Sequence, residues 1–282
     1  MTINENLTKA IELLKQNKIE EPMLKARALL AFVLNVSKEY VMINGEKEVD
    51  SMLEKKYNTL LKKLANNEPL QYITNFQEFM GLQFYINENV LIPRPDTETL
   101  AEAVLKHVGA DPVSAHCRTI LDLCTGSGAI AVSLAKRIPN AKVTATDVSP
   151  KTLKVAEKNA KINGVVDKIK FIESDMFNKV SGKYDIIVSN PPYIDKEHMK
   201  SLSKEVKKEP LIALDGGEDG LKFYRIITEE GKKYLNDNGW LFLEIGYNQR
   251  ESVCEILRNQ GYEDVACIKD LAGNDRVVMG KM

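Results

Sequence analysis

Apolar side chains recur at intervals of three and four residues along the first 74 residues of the chain. One stretch of this pattern consists of Met52, Leu53, Tyr57, Leu60, Leu61 and Leu64. Lysines and glutamates fill the intervening positions, so each helix would carry one apolar and one charged face. The pattern predicts a small N-terminal helical bundle over residues 1–74.

Residues 75–95 carry the signals of a linker built around a β-hairpin. The run Asn66-Asn67-Glu68-Pro69 ends the helical pattern before it. The short apolar segments 76–79 and 82–85 then flank Met80-Gly81, a pair typical of a tight turn between two strands. We therefore expect a hairpin between the bundle and the rest of the chain.

Residues 96–282 alternate between short apolar runs and amphipathic segments. Asp96 or Thr97 is expected to cap the first helix of this region. The predicted strands are residues 119–124, 141–147, 169–173, 184–189 and 240–245, with helices at 150–163 and 221–235 among them. Such alternation predicts an α/β domain with a parallel sheet covered by helices on both faces. The lysine-rich segment 196–208 reads as a solvated loop more readily than as a partner-binding element.

A glycine-rich turn follows the first of these strands. Thr125-Gly126-Ser127-Gly128-Ala129 leads directly into a helix. Gly126 permits the tight turn, and Gly128 is expected to let a ligand approach the backbone. The next strand ends at Asp147, 19 residues beyond Gly128, a spacing that suits a carboxylate bound to ribose hydroxyls. The pattern predicts a nucleotide site.

Glycine turns of this kind also occur in nicotinamide dehydrogenases, so the turn alone leaves the ligand open. A dinucleotide needs donors for its pyrophosphate, whereas S-adenosylmethionine has no phosphate and carries cationic sulfonium and amino groups. Asp122 on the first strand and Asp147 on the second place negative charge where those groups would lie. The carboxylates favour S-adenosylmethionine.

The fourth strand runs straight into Asn190-Pro191-Pro192-Tyr193. Each proline lacks an N–H and restricts the residue before it, so the carbonyl oxygens of Asn190 and Pro191 are expected to be unpaired and to point off the strand end. These acceptors could hold both hydrogens of an NH2 group while the Tyr193 ring lies against its flat face. A simple strand-ending turn is the alternative.

Four of these signals converge, because ligands of parallel sheets bind at the carboxyl ends of the strands. Gly126, Asp147, Asp175 and Asn190 each follow a predicted strand. We therefore expect their side chains or backbones to meet at one edge of the sheet.

Composition restricts the remaining possibilities. The 282 residues are 44% hydrophobic and 28% charged, with a net charge of −1, so no strongly basic surface for nucleic acid is expected. Neither the four cysteines (Cys117, Cys124, Cys254, Cys267) nor the three histidines (His107, His116, His198) show metal-ligand spacing. We expect no metal, no structural disulfide, no membrane span or signal peptide, and a reducing, cytoplasmic location.

Distinctive segments occur along nearly the whole chain: Glu68-Pro69-Leu70-Gln71-Tyr72-Ile73, Phe79-Met80-Gly81, Ile92-Pro93-Arg94-Pro95-Asp96-Thr97-Glu98, Asn190-Pro191-Pro192-Tyr193, Glu209-Pro210 through Ala213-Leu214-Asp215-Gly216-Gly217-Glu218-Asp219-Gly220-Leu221, Glu244-Ile245-Gly246 with Gln249, and Ala272-Gly273-Asn274-Asp275-Arg276. In these segments the chain resembles the PrmC/HemK family of protein-(glutamine-N5) methyltransferases. The resemblance implies a Rossmann-like class I S-adenosylmethionine-dependent domain with a mostly parallel seven-stranded sheet. It also implies that the helical domain recognises the substrate, that the substrate is the GGQ-motif glutamine of class I peptide chain release factors, and that S-adenosylhomocysteine is the product.

The resemblance also implies a role for each site residue. The methionine end of the cofactor would contact Cys124, Thr125, Gly126, Ser127 and Gly128. Asp147 would bind the ribose, and Asp175 and Met176 the adenine. Asn190, Pro191, Pro192 and Tyr193 would hold the substrate glutamine, with Asn190 also near the methyl group. Family members often have glycine at the position of Cys124 and an aromatic residue at that of Met176.

Other functions remain open at this point. An N-methyltransferase acting on an exocyclic amine of adenine or guanine in RNA or DNA could use the same amide-binding pocket. A neutral N-terminal domain argues against that function, since phosphate binding depends on clustered Lys and Arg. A scaffold that only binds a nucleoside would not require the Asn-Pro-Pro-Tyr segment. Arg94 could contact substrate or form a structural ion pair, bracing is the expected role of Glu244 and Gln249, and Asp122 could simply brace the glycine turn. We expect a monomer.

Overall fold

The computed structural model describes residues 1–110 and 118–282 of the chain. It divides into two compact units, the first made of Met1–Phe76 with Ser203–Lys208, and the second of Gln77–Leu202 with Glu209–Met282. Two residues discussed above, His116 and Cys117, lie outside the described residues. Within the described parts, none of the helices combines the length and the apolar character needed to cross a membrane.

The first unit is the predicted helical bundle. Its helices are α1 (Ile3–Gln16), α2 (Pro22–Leu34), α3 (Lys38–Ile43), α4 (Ser51–Ala65) and α5 (Leu70–Thr74). Thr2 and Glu5 cap α1 reciprocally, each side chain accepting a hydrogen bond from the backbone N–H of the other. Tyr57 is completely buried, and its hydroxyl donates to the Ala26 carbonyl at 3.1 Å. Met52, by contrast, is 75% exposed, so it lies outside the core of the bundle.

The predicted hairpin is present and belongs to the second unit. Strands β1 (Gln77–Phe79) and β2 (Leu82–Phe84) pair in antiparallel fashion. Met80 and Gly81 form the turn with φ of 54° and 70°. Both values lie in the left-handed region, which Gly81 adopts without strain and Met80 does not.

The second unit contains the predicted seven-stranded, mostly parallel sheet. Its remaining elements are α6 (Pro95–Ala110), β3 (Thr119–Leu123), α7 (Ala129–Arg137), β4 (Lys142–Asp147), α8 (Pro150–Ile162), β5 (Ile169–Glu173), β6 (Tyr184–Ser189), α9 (Lys196–Ser201), α10 (Lys222–Gly231), β7 (Leu235–Glu244), α11 (Arg250–Asn259), β8 (Glu263–Lys269) and β9 (Asp275–Lys281). The strand order is β5-β4-β3-β6-β7-β9-β8. Strands β3 to β7 are parallel, and β9 is antiparallel to both of its neighbours.

Several elements differ from the sequence prediction, and strand β7 begins at Leu235, five residues before its predicted start. Helix α6 begins at Pro95, so Asp96 and Thr97 lie in its first turn and neither caps it. Helix α10 ends at Gly231 because Leu235 already pairs with Tyr184 as part of β7. The segment predicted as a loop contains α9, whose first turn is capped by the Asp195 carboxylate, and a short 3₁₀ helix at Val206–Lys208.

The sheet topology creates a crevice at the end of β3. The chain adds β4 and β5 on one side of β3 and β6 and β7 on the other, so the winding direction switches between β3 and β6. Leu123, the last residue of β3, pairs with Thr146 of β4 and Ser189 of β6. The loops that leave these three strands therefore emerge side by side. Both faces of β3 are covered, since Ile120, Leu121 and Leu123 are completely buried.

Candidate active site

A cavity of about 560 Å³ lies at the carboxyl ends of β3, β4 and β6, a size typical of small-molecule sites. The four signals from the sequence meet here, because Gly126, Asp147, Asp175 and Asn190 all line the wall. The other predicted site residues on the wall are Cys124, Thr125, Ser127, Met176 and Pro192. Asp122, Gly128, Pro191 and Tyr193 are not part of the wall.

The two glycines of the turn have different tasks. Gly126 has φ of 57° and faces open space, since the nearest atom to a Cβ at this position would be 4.0 Å away. Gly128 has φ of 79°, and a Cβ there would lie 3.1 Å from the Cβ of Ala156 on α8. This glycine allows α8 to pack closely, which accounts for its identity without a ligand; the approach of a ligand to its backbone stays a prediction.

Cys124 occupies a backbone conformation that favours glycine. Its φ is 59°, in the left-handed region, where an L-amino acid with a side chain is strained by about 1 kcal/mol. This geometry explains why a glycine suits the position. Burial and the nearby charges of Asp147 and Asp122 raise the pKa of the Cys124 thiol to about 12, so the thiol is neutral.

Asp147 ends β4 with its carboxylate held by the backbone on both sides. Oδ2 accepts a hydrogen bond from the Gly126 N–H at 3.1 Å, and Oδ1 accepts one from the Ser149 N–H at 3.0 Å. Burial raises the pKa of the carboxyl group, while these hydrogen bonds lower it. The carboxylate thus links the glycine turn to the start of α8 and keeps its remaining lone pairs available at the cavity.

Asp122 lies behind the turn instead of in the cavity. It is completely buried, and its Oδ2 accepts a hydrogen bond from the Thr125 hydroxyl at 2.6 Å. Its Oδ1 has no hydrogen-bond partner in the described parts of the chain. Burial raises the pKa of this carboxyl group to about 7. The expected direct contact with a cofactor is not supported, and the position favours bracing of the turn.

Asn190 presents a free acceptor to the cavity. Its Nδ2 donates to the Thr97 hydroxyl at 3.3 Å. No described residue donates a hydrogen bond to its Oδ1, or to the backbone carbonyls of Asn190 and Pro191. Ser189, one residue earlier, donates its hydroxyl to the Leu123 carbonyl at 2.8 Å and so ties β6 to β3. The segment is anchored on one side and has unused oxygen lone pairs.

Two family profiles match the chain: the PrmC N-terminal domain at residues 5–74 and the methyltransferase small domain at residues 97–218. The chain is 40% identical to a release factor glutamine methyltransferase of Clostridium acetobutylicum over 99% of its own length and 98% of that protein. A release factor glutamine methyltransferase of Clostridium botulinum is 36% identical over 100% of this chain and 99% of that protein. The chain belongs to the release factor glutamine methyltransferase family. A methyltransferase from Pyrococcus furiosus, 21% identical, shares the fold with a TM-score of 0.52 over 79% of this chain and 98% of its own.

In this methyltransferase the tyrosine of the Asn-Pro-Pro-Tyr segment does not face the cavity. The Tyr193 hydroxyl donates to Glu244 Oε1 at 3.4 Å, and the ring packs at the edge of the sheet core. Burial and the Glu244 charge raise the pKa of the phenol well above its usual value. The contact of this ring with the flat face of a substrate amide stays a prediction, and these contacts do not favour it.

The backbone at Tyr193 is clamped by residues from two other segments. Gln249 Nε2 donates to the Tyr193 carbonyl at 3.0 Å, while Gln249 Oε1 accepts from the Gly246 N–H at 2.9 Å. Gly216 and Gly220 pack directly on the same backbone, because a Cβ at either position would lie within 2.7 Å of Tyr193 atoms. Bracing, the role expected of Gln249, is what the contacts support. The close approach of Gly216 and Gly220 to the Tyr193 backbone explains why the segment 213–221 has glycine at both positions.

Arg94 is both an ion-pair partner and a wall residue of the methyltransferase. Its guanidinium pairs with Glu209, which is 3% exposed and also accepts a hydrogen bond from the Ile92 N–H at 3.1 Å. Arg94 itself lines the cavity. Its two candidate roles are therefore compatible.

Sequence reasoning missed Thr97 as a site residue. It treated Thr97 only as a possible helix cap, whereas the structure places it on the cavity wall against Asn190. The Ile92–Glu98 motif was the available signal. No group of three or more His, Cys, Asp or Glu side chains suited to a metal occurs within residues 1–110 and 118–282.

Proposed function

We propose that this enzyme transfers the methyl group of S-adenosylmethionine to the side-chain amide nitrogen of the GGQ-motif glutamine in class I peptide chain release factors. Membership of the release factor glutamine methyltransferase family supports the substrate, since the relatives match over nearly their whole length. The observation that carries the chemistry is the free Oδ1 of Asn190 on the same wall as Gly126 and Asp147.

The chemistry of the wall suits S-adenosylmethionine. Asp147, Asp175 and Asp215 contribute carboxylates, against the cations Arg94 and Lys222. Arg94 is already paired with Glu209, so the excess of negative charge favours a cationic ligand over a pyrophosphate. In this proposal Asp147 binds the ribose hydroxyls, Asp175 and Met176 border the adenine, and the turn from Cys124 to Ser127 borders the methionine end. When bound, the cofactor supplies an electrophilic methyl carbon on a sulfonium.

Asn190 and Pro191 would act on the substrate amide. The nitrogen of an amide is a poor nucleophile because its lone pair is delocalised into the carbonyl. Asn190 Oδ1 and the Pro191 carbonyl can each accept one of its N–H groups, which directs the nitrogen lone pair towards the methyl carbon. As positive charge develops on nitrogen, both hydrogen bonds strengthen, so they stabilise the transition state more than the ground state.

Proton removal would need no strong base in this scheme. The nitrogen becomes acidic only after it has gained the methyl group, and its extra proton then leaves to solvent while the amide recovers its resonance. The buried Glu244 does not line the cavity and is not required for this step.

Mass spectrometry of the products tests the proposal. Purified enzyme and S-adenosylmethionine are incubated in parallel with a release factor, with the same factor carrying Gln→Asn at the GGQ motif, with ribosomal RNA and with DNA. We expect one added methyl group on the motif glutamine and none on the other three substrates. Asn190→Ala is the enzyme control. Methylation of RNA or DNA with an unmodified release factor would replace the proposal by its nucleic-acid alternative.

The proposal also includes partners and location. Residues 1–74 would recognise the release factor and residues 96–282 would carry out catalysis. Residues 75–95 would link these two domains. Since release factors act on ribosomes, the proposed location of the enzyme is the cytoplasm. We take the enzyme to be a monomer without stable nucleic-acid binding, which light scattering with and without RNA measures directly.

A further inference from the structure

The side-chain amide of Asn190 can adopt two orientations of nearly the same shape that differ by exchange of oxygen and nitrogen. Only one of them turns Oδ1 towards the cavity. The other would present an NH2 group, which cannot accept a hydrogen bond from a substrate amide. Hydrogen-bond partners of the amide must therefore select the orientation.

Thr97, beside Asn190 on the cavity wall, is such a partner. Its hydroxyl accepts a hydrogen bond from Asn190 Nδ2 at 3.3 Å. The residue lies in the first turn of α6 and is only 4% exposed, so water has little access to compete for the contact. A hydroxyl can both donate and accept, however. Thr97 alone would tolerate either orientation of the amide.

Glu244 removes this ambiguity. It ends β7, the strand that pairs with β6, and is 1% exposed. Burial raises the pKa of its carboxyl group to about 7, while the hydrogen bond from the Thr97 hydroxyl and the charge of Arg276 lower it. At pH 8 the group is therefore mostly a carboxylate, which has no proton to give. The Thr97 proton therefore points towards Glu244, and the oxygen lone pairs face Asn190, which must offer its NH2.

The same carboxylate also contacts the other end of the Asn-Pro-Pro-Tyr segment. Glu244 Oε1 accepts the hydrogen bond from the Tyr193 hydroxyl at 3.4 Å, and Oε2 is buried without a hydrogen-bond partner in the described residues. An incompletely satisfied buried carboxylate is costly to stability. Glu244 lies beside both Thr97 and Tyr193. Orientation of the Asn-Pro-Pro-Tyr segment would therefore explain why such a costly group is buried here.

We propose that Thr97 and Glu244 are positioning residues that hold the Asn190 amide with Oδ1 directed into the cavity, an inference that rests on the proposed function. Neither acts on the substrate directly. Thr97 transmits the polarity of the carboxylate to Asn190, and the amide oxygen that accepts the substrate N–H is thereby already oriented before the substrate arrives.

Isosteric variants of Thr97 test the inference. Thr97→Val keeps the shape and removes the hydroxyl, Thr97→Ser restores the hydroxyl, and Thr228→Val is the matched control. Thr228 is also buried, and among the described residues its hydroxyl donates only to carbonyls of its own helix α10. Single-turnover methylation of a release factor is measured at pH 8 with saturating cofactor, together with the cofactor Kd and the Tm of each variant.

We expect Thr97→Val to slow methyl transfer by about 10- to 100-fold, somewhat less than the loss of a direct transition-state hydrogen bond. Thr97→Ser should stay within about threefold of the wild-type rate, and the cofactor Kd of both variants should change by less than about threefold. Glu244→Gln should slow transfer as well, because its NH2 group can donate to Thr97 and allow the Asn190 amide to rotate. A wild-type rate for Thr97→Val, or equal losses for the Val and Ser variants, would overturn the inference.

Nuclear magnetic resonance provides a measurement that does not depend on the substrate. The side-chain NH2 signal of Asn190, assigned by its disappearance in Asn190→Asp, should exchange slowly with solvent in the wild type and faster in Thr97→Val. If the wild-type enzyme failed to methylate any release factor while this difference was present, the proposed function would fail and the positioning pair would stand. Equal exchange in both proteins would refute the pair whatever the substrate.

Discussion

Asp122 gives the methyltransferase domain a stability that should depend on pH in a predictable direction. The carboxyl group is completely buried, with Oδ2 bound to the Thr125 hydroxyl and Oδ1 unpartnered in the described chain. Burial raises its pKa from 3.8 to about 7. Between these two values the folded protein keeps the proton that the unfolded chain has already lost.

The sign of the effect follows from proton linkage. Because the folded state binds about one more proton than the unfolded state in this interval, the free energy of unfolding decreases as pH rises, by about 1.4 kcal/mol per pH unit. From pH 5 to pH 7 the contribution of Asp122 is a loss of about 2 kcal/mol, because half of the folded molecules have lost the proton at pH 7. The stability present in acid is thus lost as pH rises through about 7, and the contribution is constant above it.

Asp122→Asn isolates this contribution, since the amide has nearly the same shape and does not titrate. Urea unfolding of wild type and variant, followed by tryptophan fluorescence from Trp240 on β7, is measured at half-unit steps from pH 5 to pH 8.5. Glu244, whose pKa burial also raises to about 7, titrates in both proteins and cancels in the difference. We expect the variant to gain stability relative to wild type by about 3 kcal/mol across the range. A difference that is constant or decreases with pH would refute the assignment of a raised pKa to Asp122.

Three further predictions concern the cavity and its support. Asn190→Ala should slow the chemical step by about 100-fold or more with little change in cofactor Kd, because it removes one transition-state hydrogen bond; near-normal single-turnover transfer would contradict it. Asp147→Ala should weaken cofactor binding at least about tenfold, since the carboxylate can accept from two hydroxyls at about 1.5–3 kcal/mol each; calorimetry with an unchanged Kd would remove Asp147 from the site. Gly216→Ala should destabilise the domain by about 1–3 kcal/mol, because its Cβ would lie 2.7 Å from the Tyr193 backbone, whereas Gly109→Ala in α6, with no atom within 4 Å of the new Cβ, should be neutral or stabilising in the same thermal melts.

Local sequence was sufficient to predict most of the fold. In the helical bundle apolar residues recur every three or four positions, whereas in the α/β domain they form short continuous runs, and this change separates the two. Each predicted run lies in a strand, within about five residues of its predicted bounds. The glycine turn after β3 and the carboxylate at the end of β4 were also readable, because parallel strands bring their carboxyl ends to one edge. These inferences need only the chain direction and the spacing of residue types.

Where the structure shows contacts that the sequence did not predict, the missing information was a neighbour distant in sequence. Gly128 was assigned to a ligand, yet its Cβ position is occupied by Ala156 of α8. Tyr193 was assigned to the substrate, yet its hydroxyl reaches Glu244, 51 residues away. A side chain's identity fixes what it can bond to, whereas the packing of separate elements determines which partner it meets.

The chain's residue types and spacings thus define a methyltransferase domain with an Asn-Pro-Pro-Tyr segment after its fourth parallel strand, since those features are local. Which polar groups face the cavity depends on contacts between α6, β6 and β7, and these contacts exist only once the sheet has assembled. Thr97 illustrates the point: in the sequence it is one hydroxyl near a helix start, and in the fold it lies between Asn190 and a buried carboxylate. Hydrogen bonds are short-ranged and directional, so only the assembled geometry selects among the partners that the sequence makes available.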